Sequence, residues 1–176
     1  ILPTPLPTFV VDDTRVAYGQ VAHHLRGNPS NSLTAIGVTG AYGKTATALL
    51  VQHVLSQLGE PCGALTDLYL DNGQDRVDAP LEDPDSRHYA TWLRSMCNNE
   101  CSAASIELSH RSLSDYSTEG IELDFAIITR LPADHADQDS NVHPFRGSQS
   151  RILQLLKPSG VAIVNADDPT SRFELP

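Results

Sequence analysis

Residues 33–50 read Leu-Thr-Ala-Ile-Gly-Val-Thr-Gly-Ala-Tyr-Gly-Lys-Thr-Ala-Thr-Ala-Leu-Leu. An apolar run, Leu33 to Val38, stops at a glycine-rich turn, and a run of helix formers follows Lys44 and Thr45. This order predicts strand, tight loop and helix in succession, the local architecture of a phosphate-binding loop. Gly40 and Gly43 let the backbone turn sharply and aim its N–H groups inward, beside the positive end of the helix that follows. Lys44 supplies a charge suited to β/γ-phosphates, and the Thr45 hydroxyl suits Mg²⁺. The common nucleotide motif puts four residues between its first glycine and Gly-Lys-Ser/Thr, whereas Val38 stands at that first position here. The alternative is a strand-to-helix turn whose glycines serve only the bend and whose lysine is solvated.

A chain of 176 residues with 40% hydrophobic content supports one domain, or one domain with a short extension. Three prolines within residues 1–9 predict an extended linker over 1–11, with the domain proper over 12–176. The net charge of −10 argues against a general nucleic-acid surface. An anionic ligand would therefore need a local positive site, which the loop provides. The cysteines, Cys62, Cys97 and Cys101, form no zinc-type array and read as reduced thiols of a cytoplasmic protein. No apolar stretch reaches membrane-spanning length, so no membrane partner is expected.

Further along, Asp12-Asp13-Thr14 predicts the start of a helix carrying Val16, Ala17, Val21, Ala22 and Leu25, ended by Gly27-Asn28-Pro29-Ser30. The helix over 44–58 has Leu49, Leu50, Val54, Leu55 and Leu58 at helical spacing, and Cys62–Leu65 reads as a short buried strand. The polar stretch 66–84, with Asp71-Asn72-Gly73, predicts a hairpin or loop. A helix over 86–98 places Tyr89, Trp92, Leu93 and Met96 inward. Cys101–Leu108 and Leu123–Thr129 read as buried strands, 132–144 as a polar loop, and 145–156 as a helix broken by Pro158-Ser159-Gly160. The last strand is expected at Val161–Val164. Alternating strands and helices predict an α/β fold, a three-layer α/β/α arrangement with a mostly parallel sheet and a P-loop-type phosphate-binding loop. Ligands of such sheets sit at the carboxyl ends of the strands, so Glu107, Arg130, His135 and Asn165 are expected on one rim with the loop.

Read from residue type alone, Glu107 is a candidate Mg²⁺ ligand or an ordinary strand-end carboxylate. Asp134-His135-Ala136-Asp137-Gln138-Asp139 suits metal or phosphate handling, but also a solvated loop of Asx turns. Asn165 could read an adenine edge or simply start a turn.

Four pieces occur together in order: 37–45, 106–110, 129–135 and 157–169. The first is the loop through Thr45, the second Ile-Glu-Leu-Ser-His, the third Thr-Arg-Leu-Pro-Ala-Asp-His. The fourth is Lys-Pro-Ser-Gly-Val-Ala-Ile-Val-Asn-Ala-Asp-Asp-Pro. Their order and spacing resemble the central, ATP-binding domain of the Mur ligases, and most nearly the UDP-N-acetylmuramoyl-tripeptide synthetase branch of peptidoglycan biosynthesis. The resemblance implies an ADP-forming amide ligase in which ATP converts a carboxylate to an acyl phosphate that an amine then attacks. It implies catalytic roles for Lys44, Glu107 and His135. It also implies nucleotide contacts from Gly40, Ala41, Tyr42, Gly43, Lys44, Thr45, Ala46, Asn165 and Asp168, and Mg²⁺ held by Thr45, Glu107 and His135. The implied partners are ATP, a UDP-sugar-peptide or related carboxylate substrate, and two flanking ligase domains. Neither flanking domain lies within residues 1–176, so a fragment or a reduced relative is expected.

The chain departs from that pattern at several positions. Ala41-Tyr42-Gly43 replaces Thr-Asn-Gly, and Glu82-Asp83-Pro84 replaces a Thr-Thr-Pro that contacts the nucleotide-sugar. Arg130 replaces an Asn, and Gln149 replaces a lysine that the family carbamylates. A primary amide forms no carbamate, so a nucleotide-binding domain without ligase chemistry is the alternative expectation.

Overall fold

The computed structural model describes residues 6–81, 83–130 and 150–168. A seven-stranded sheet runs through the molecule in the order β4-β3-β2-β5-β1-β6-β7. The strands are β1 (Thr34–Thr39), β2 (Cys62–Leu65), β3 (Tyr69–Asp71), β4 (Arg76–Asp78), β5 (Ala103–Glu107), β6 (Leu123–Ile128) and β7 (Leu156–Val164). β2, β5, β1, β6 and β7 are mutually parallel, and the hairpin β3–β4 adds an antiparallel edge. The helices are α1 (Thr14–His24), α2 (Lys44–Gln57), α3 (Ser86–Asn98) and α4 (His110–Ser114). Strands buried on both faces read as continuous apolar runs, which is why β1 and β5 are buried almost throughout. The expected three-layer α/β/α architecture is the one observed.

Each parallel strand sends alternate residues to opposite layers. Ala35, Ala104, Ile106 and Leu108 join a core with Tyr89, Leu93 and Met96 of α3, Leu113 of α4, and Ile152 and Leu155 of a short 3-10 turn, Arg151–Leu155. Spacing of four and then three residues sets Tyr89, Leu93 and Met96 on one stripe of α3. Asp85 caps that helix by accepting a hydrogen bond from His88 N at 2.7 Å. Burying side chains such as Leu93 and Met96 contributes roughly 1.5–3 kcal/mol each.

The opposite layer is built on small and polar residues. Of the apolar residues at helical spacing along α2, Leu50, Val54 and Leu58 are exposed, and the buried positions are Ala48 and Gln52. Small Ala48 lets the helix approach β5 closely enough for Ser105 Oγ to donate to the Ala48 carbonyl at 2.8 Å. Gln52 Nε2 donates to the Cys62 carbonyl at 3.1 Å, and Gln52 Oε1 accepts from the Tyr69 hydroxyl at 2.9 Å. A polar residue thus satisfies strand and helix groups where an aliphatic one would hold the helix further off.

The last strand also begins earlier than expected. It starts at Leu156, and Leu123↔Leu156 is followed by Phe125↔Val161, so Asp124 alone stands opposite the four residues 157–160 of β7. The expected break at Pro158-Ser159-Gly160 becomes a bulge inside the strand. Lys157 anchors it, donating through Nζ to Asp124 Oδ2 at 2.7 Å and to the Ser30 carbonyl at 3.2 Å. The helix expected over 145–156 appears within the described residues as the turn 151–155; residues 145–149 lie outside them.

His23 of α1 is fully buried, and neither ring nitrogen has a hydrogen-bond partner. Its ring packs over Gly120, where a Cβ would come within 2.8 Å of it. Burial, and then the Arg26 charge, push its pKa down to about 4. The folded state therefore keeps a neutral ring that the unfolded chain protonates below about 6.5. Stability is fully present above that pH and falls as pH drops towards 4, by about 3 kcal/mol in all. Urea unfolding at pH 7 and pH 5 should show this loss, and His23→Leu should remove that part of the slope.

Candidate functional site

β1 ends at Thr39, and residues 40–43 turn the chain into α2. Gly40 is held tightly at a φ of 143°, and a side chain there would collide with Thr129 and Arg130. Gly43 has a φ of 82° in the left-handed region, and no atom lies within 4 Å of where its Cβ would point. The first glycine is thus required by packing and the second by backbone geometry beside open space.

The loop is strapped from β6. Thr129 Oγ1 donates to the Tyr42 carbonyl at 2.7 Å and to the Thr39 carbonyl at 3.2 Å. Ala41 N donates to the Arg130 carbonyl at 2.6 Å. The N–H of Ala41, expected to point into the phosphate socket, is therefore spent on the neighbouring strand end. Tyr42 is exposed, as is Ala46, while Lys44 and Thr45 are half-buried at the first turn of α2. Neither Thr129 nor this backbone bond was legible in the sequence, because both depend on β6 lying beside β1.

Glu107 ends β5, opposite Val38 in the β1–β5 register. Its side chain is 1% exposed. Thr45 Oγ1 donates to Glu107 Oε1 at 2.9 Å, Asp67 N donates to Glu107 Oε2 at 3.0 Å, and Lys44 Nζ lies 3.8 Å from Oε1. Burial raises the Glu107 pKa above the usual carboxylate range, against the lowering effect of the Asp67 and Thr45 hydrogen bonds and the Lys44 charge. A hydroxyl and a carboxylate converging at a helix N-terminus form an all-oxygen donor pair, which fits a hard cation such as Mg²⁺. Two protein oxygens are the number Mg²⁺ takes when phosphates and water complete its octahedron. Among the described residues, no group of three or more His, Cys, Asp or Glu side chains could hold a metal.

Asn165 and Asp168 lie beyond β7, which is separated from β1 by β6. Asn165 is exposed, and its Oδ1 accepts from Asp167 N at 3.0 Å in an Asx turn. Asp168 is buried. Arg130 contributes its carbonyl to the loop, with its side chain exposed. His135, Glu82 and Gln149 lie outside the described residues. Burial raises the pKa of all three cysteines, Cys62 to about 12, and so disfavours their thiolate forms. No helix among the described residues is long and apolar enough to cross a membrane.

A parallel sheet with a glycine turn at its central strand, a lysine opening the next helix and a buried carboxylate on the adjoining strand defines an α/β domain of the P-loop type. The Mur ligase middle domain is matched over residues 38–175, and the chain belongs to that family. It is 28% identical over 174 residues to a UDP-N-acetylmuramoyl-L-alanyl-D-glutamate–2,6-diaminopimelate ligase of Geobacter metallireducens, covering 96% of this chain and 34% of that one. A solved structure of a ligase of the same name superposes with a TM-score of 0.78 at 22% identity, over 94% of this chain and 34% of that one. Mycobacterium tuberculosis folylpolyglutamate synthase complexed with ADP shares the fold, with a TM-score of 0.70 at 17% identity over 93% of this chain and 44% of that one. The chain spans about a third of the length of the curated relatives it matches.

The Thr129 strap has a local signature. Thr129→Val should speed amide hydrogen exchange at Ala41 by about fivefold to tenfold, the equivalent of roughly 1 kcal/mol for a lost hydrogen bond. Amides in the middle of β1 should change little.

Proposed function

We propose that this domain binds Mg-ATP and serves an ADP-forming acid–amino acid ligase that works through an acyl phosphate. The observation that carries the reading is the meeting of Lys44 and Thr45 with buried Glu107 across β1 and β5. Family membership and the ADP complex of the folylpolyglutamate synthase support it.

In this reading the N-terminus of α2 and the remaining loop amides bind the β-phosphate, and Lys44 lies along the β/γ-phosphate oxygens. Thr45 and Glu107 would hold Mg²⁺, which when bound neutralises charge on the phosphates. The substrate carboxylate attacks the γ-phosphorus, the bond to the β,γ-bridging oxygen breaks, and ADP leaves. An amine then adds to the acyl carbon, and inorganic phosphate leaves as the amide forms and one proton is released. The contribution of this chain is alignment of carboxylate and γ-phosphate and compensation of their mutual repulsion, which Lys44 supplies directly. His135 is proposed as a second-metal residue, and Asn165 and Asp168 as contacts at the nucleoside end. Whole-ligase activity would also draw on the parts of the relatives that this chain does not span, including the proposed flanking domains. A cytoplasmic location is part of the same reading.

A second reading keeps nucleotide binding and drops ligation. It rests on Gln149, which carries no amine to form a carbamate.

Calorimetric titration with Mg-ATP tests the shared element. Lys44→Ala should weaken binding by about 100-fold, or roughly 2.7 kcal/mol for a charge-assisted phosphate contact in a half-buried site. Equal affinity in the variant, or no heat with the wild type, would defeat the phosphate assignment. Because burial raises the Glu107 pKa, Mg²⁺ binding should weaken on mild acidification sooner than at an ordinary carboxylate, and Glu107→Gln should abolish that pH dependence. ADP release with a peptide substrate in the wild type would eliminate the second reading.

A further inference from the structure

The end of β6 lies between two parts of the proposed nucleotide site and carries a cation that neither part uses. Ala41 N donates to the Arg130 carbonyl at 2.6 Å, and Asn165 N donates to the Ile128 carbonyl at 3.2 Å. Residues 128–130 are therefore bonded to the phosphate loop on one side and to the Asn165 turn on the other, as the strand order β1-β6-β7 requires. Neighbouring strands lie about 4.8 Å apart, so roughly 10 Å separates β1 from β7, with β6 midway. Glu107 lies on the other side of β1, at the end of β5.

The Arg130 guanidinium is exposed and unspent. Arg15, Arg76, Arg111 and Arg151 each pair with a carboxylate, whereas Arg130 pairs with none among the described residues. The chain has only two lysines. Lys157 is tied to Asp124 and Ser30, and Lys44 already faces Glu107 at 3.8 Å. The loop is also short of donors. The Ala41 N–H is taken by the Arg130 carbonyl, and Ala46, exposed after Thr45, has no hydroxyl. In a chain with a net charge of −10, a polyphosphate needs compensating charge placed along its length.

The geometry points to Arg130 as the residue that binds the α-phosphate. The inference rests on the nucleotide reading above. In that reading the β-phosphate occupies the loop, the γ-phosphate and Mg²⁺ lie towards Glu107, and the nucleoside lies towards Asn165. The α-phosphate joins the β-phosphate to the nucleoside, so it crosses the end of β6. An arginine suits that place, because its guanidinium is always charged and offers paired N–H donors to two oxygens of one phosphate. Arg130 then acts twice: its carbonyl holds the loop through Ala41, and its side chain holds the ligand.

A cycle that pairs a change in the protein with a change in the ligand tests this contact. In the α-P-methyl analogue of ADP, a methyl group replaces one α-phosphate oxygen and removes that phosphate's negative charge. Calorimetric titration of the whole chain with Mg²⁺ present should show ADP binding at least tenfold more tightly than the analogue. Arg130→Ala keeps the carbonyl that accepts from Ala41. It should weaken ADP at least tenfold and leave the analogue within about threefold, so that the preference nearly vanishes. Arg130→Lys, which keeps the charge, should retain a preference of at least about threefold. An unchanged preference in Arg130→Ala overturns the inference. So does weakening of ADP and the analogue by the same factor, which is what a purely structural role predicts, and so does a lysine variant that behaves like the alanine one. Mg-ATP titration of Lys44→Ala reads the loop separately. A loss there, with no effect of Arg130→Ala, removes only the α-phosphate contact, whereas a wild type that binds neither Mg-ATP nor Mg-ADP removes the nucleotide reading and this contact together.

Discussion

A carboxylate sealed at the end of a central strand sets the terms for everything around it. Removing Glu107 from water costs several kcal/mol unless its oxygens find partners. The Thr45 hydroxyl, the Asp67 N–H and the Lys44 ammonium provide them, one each from helix, loop and helix. Lys44 and Thr45 are neighbours at the start of α2, whereas Asp67 follows β2 and Glu107 ends β5, so the charge can be tolerated only when β1, β2 and β5 lie in register. Burial raises the Glu107 pKa in spite of these partners.

The backbone around that carboxylate is held by polar contacts more than by bulk. α2 sits close to the sheet because Ala48 is small and because Ser105 and Gln52 exchange hydrogen bonds across the gap. The loop before it is tied to β6 through the Thr129 hydroxyl and the Arg130 carbonyl. Such ties are geometrically strict, and strictness is useful where backbone amides must face a ligand at fixed distance. The opposite layer, with Tyr89, Leu93, Met96 and Leu113 against the sheet, supplies the apolar burial that the α2 side lacks.

The sequence alone determined the alternation of strands and helices, the mostly parallel sheet and the strand–loop–helix around Gly40 and Gly43, because periodicity, glycine and helix caps act over a few residues. It also brought Lys44, Thr45 and Glu107 forward as candidates, since strand-end polar residues share a rim in any parallel sheet. Only the tertiary structure decided that Leu50, Val54 and Leu58 face outward while Gln52 is buried, since the depth of a helix on a sheet depends on strand residues distant in sequence. It likewise decided that the Ala41 amide bonds Arg130 and not a ligand, and that Pro158-Ser159-Gly160 forms a bulge. Each of these depends on which strands become neighbours, and neighbour choice is settled by the packing of the whole sheet rather than by any local stretch of chain.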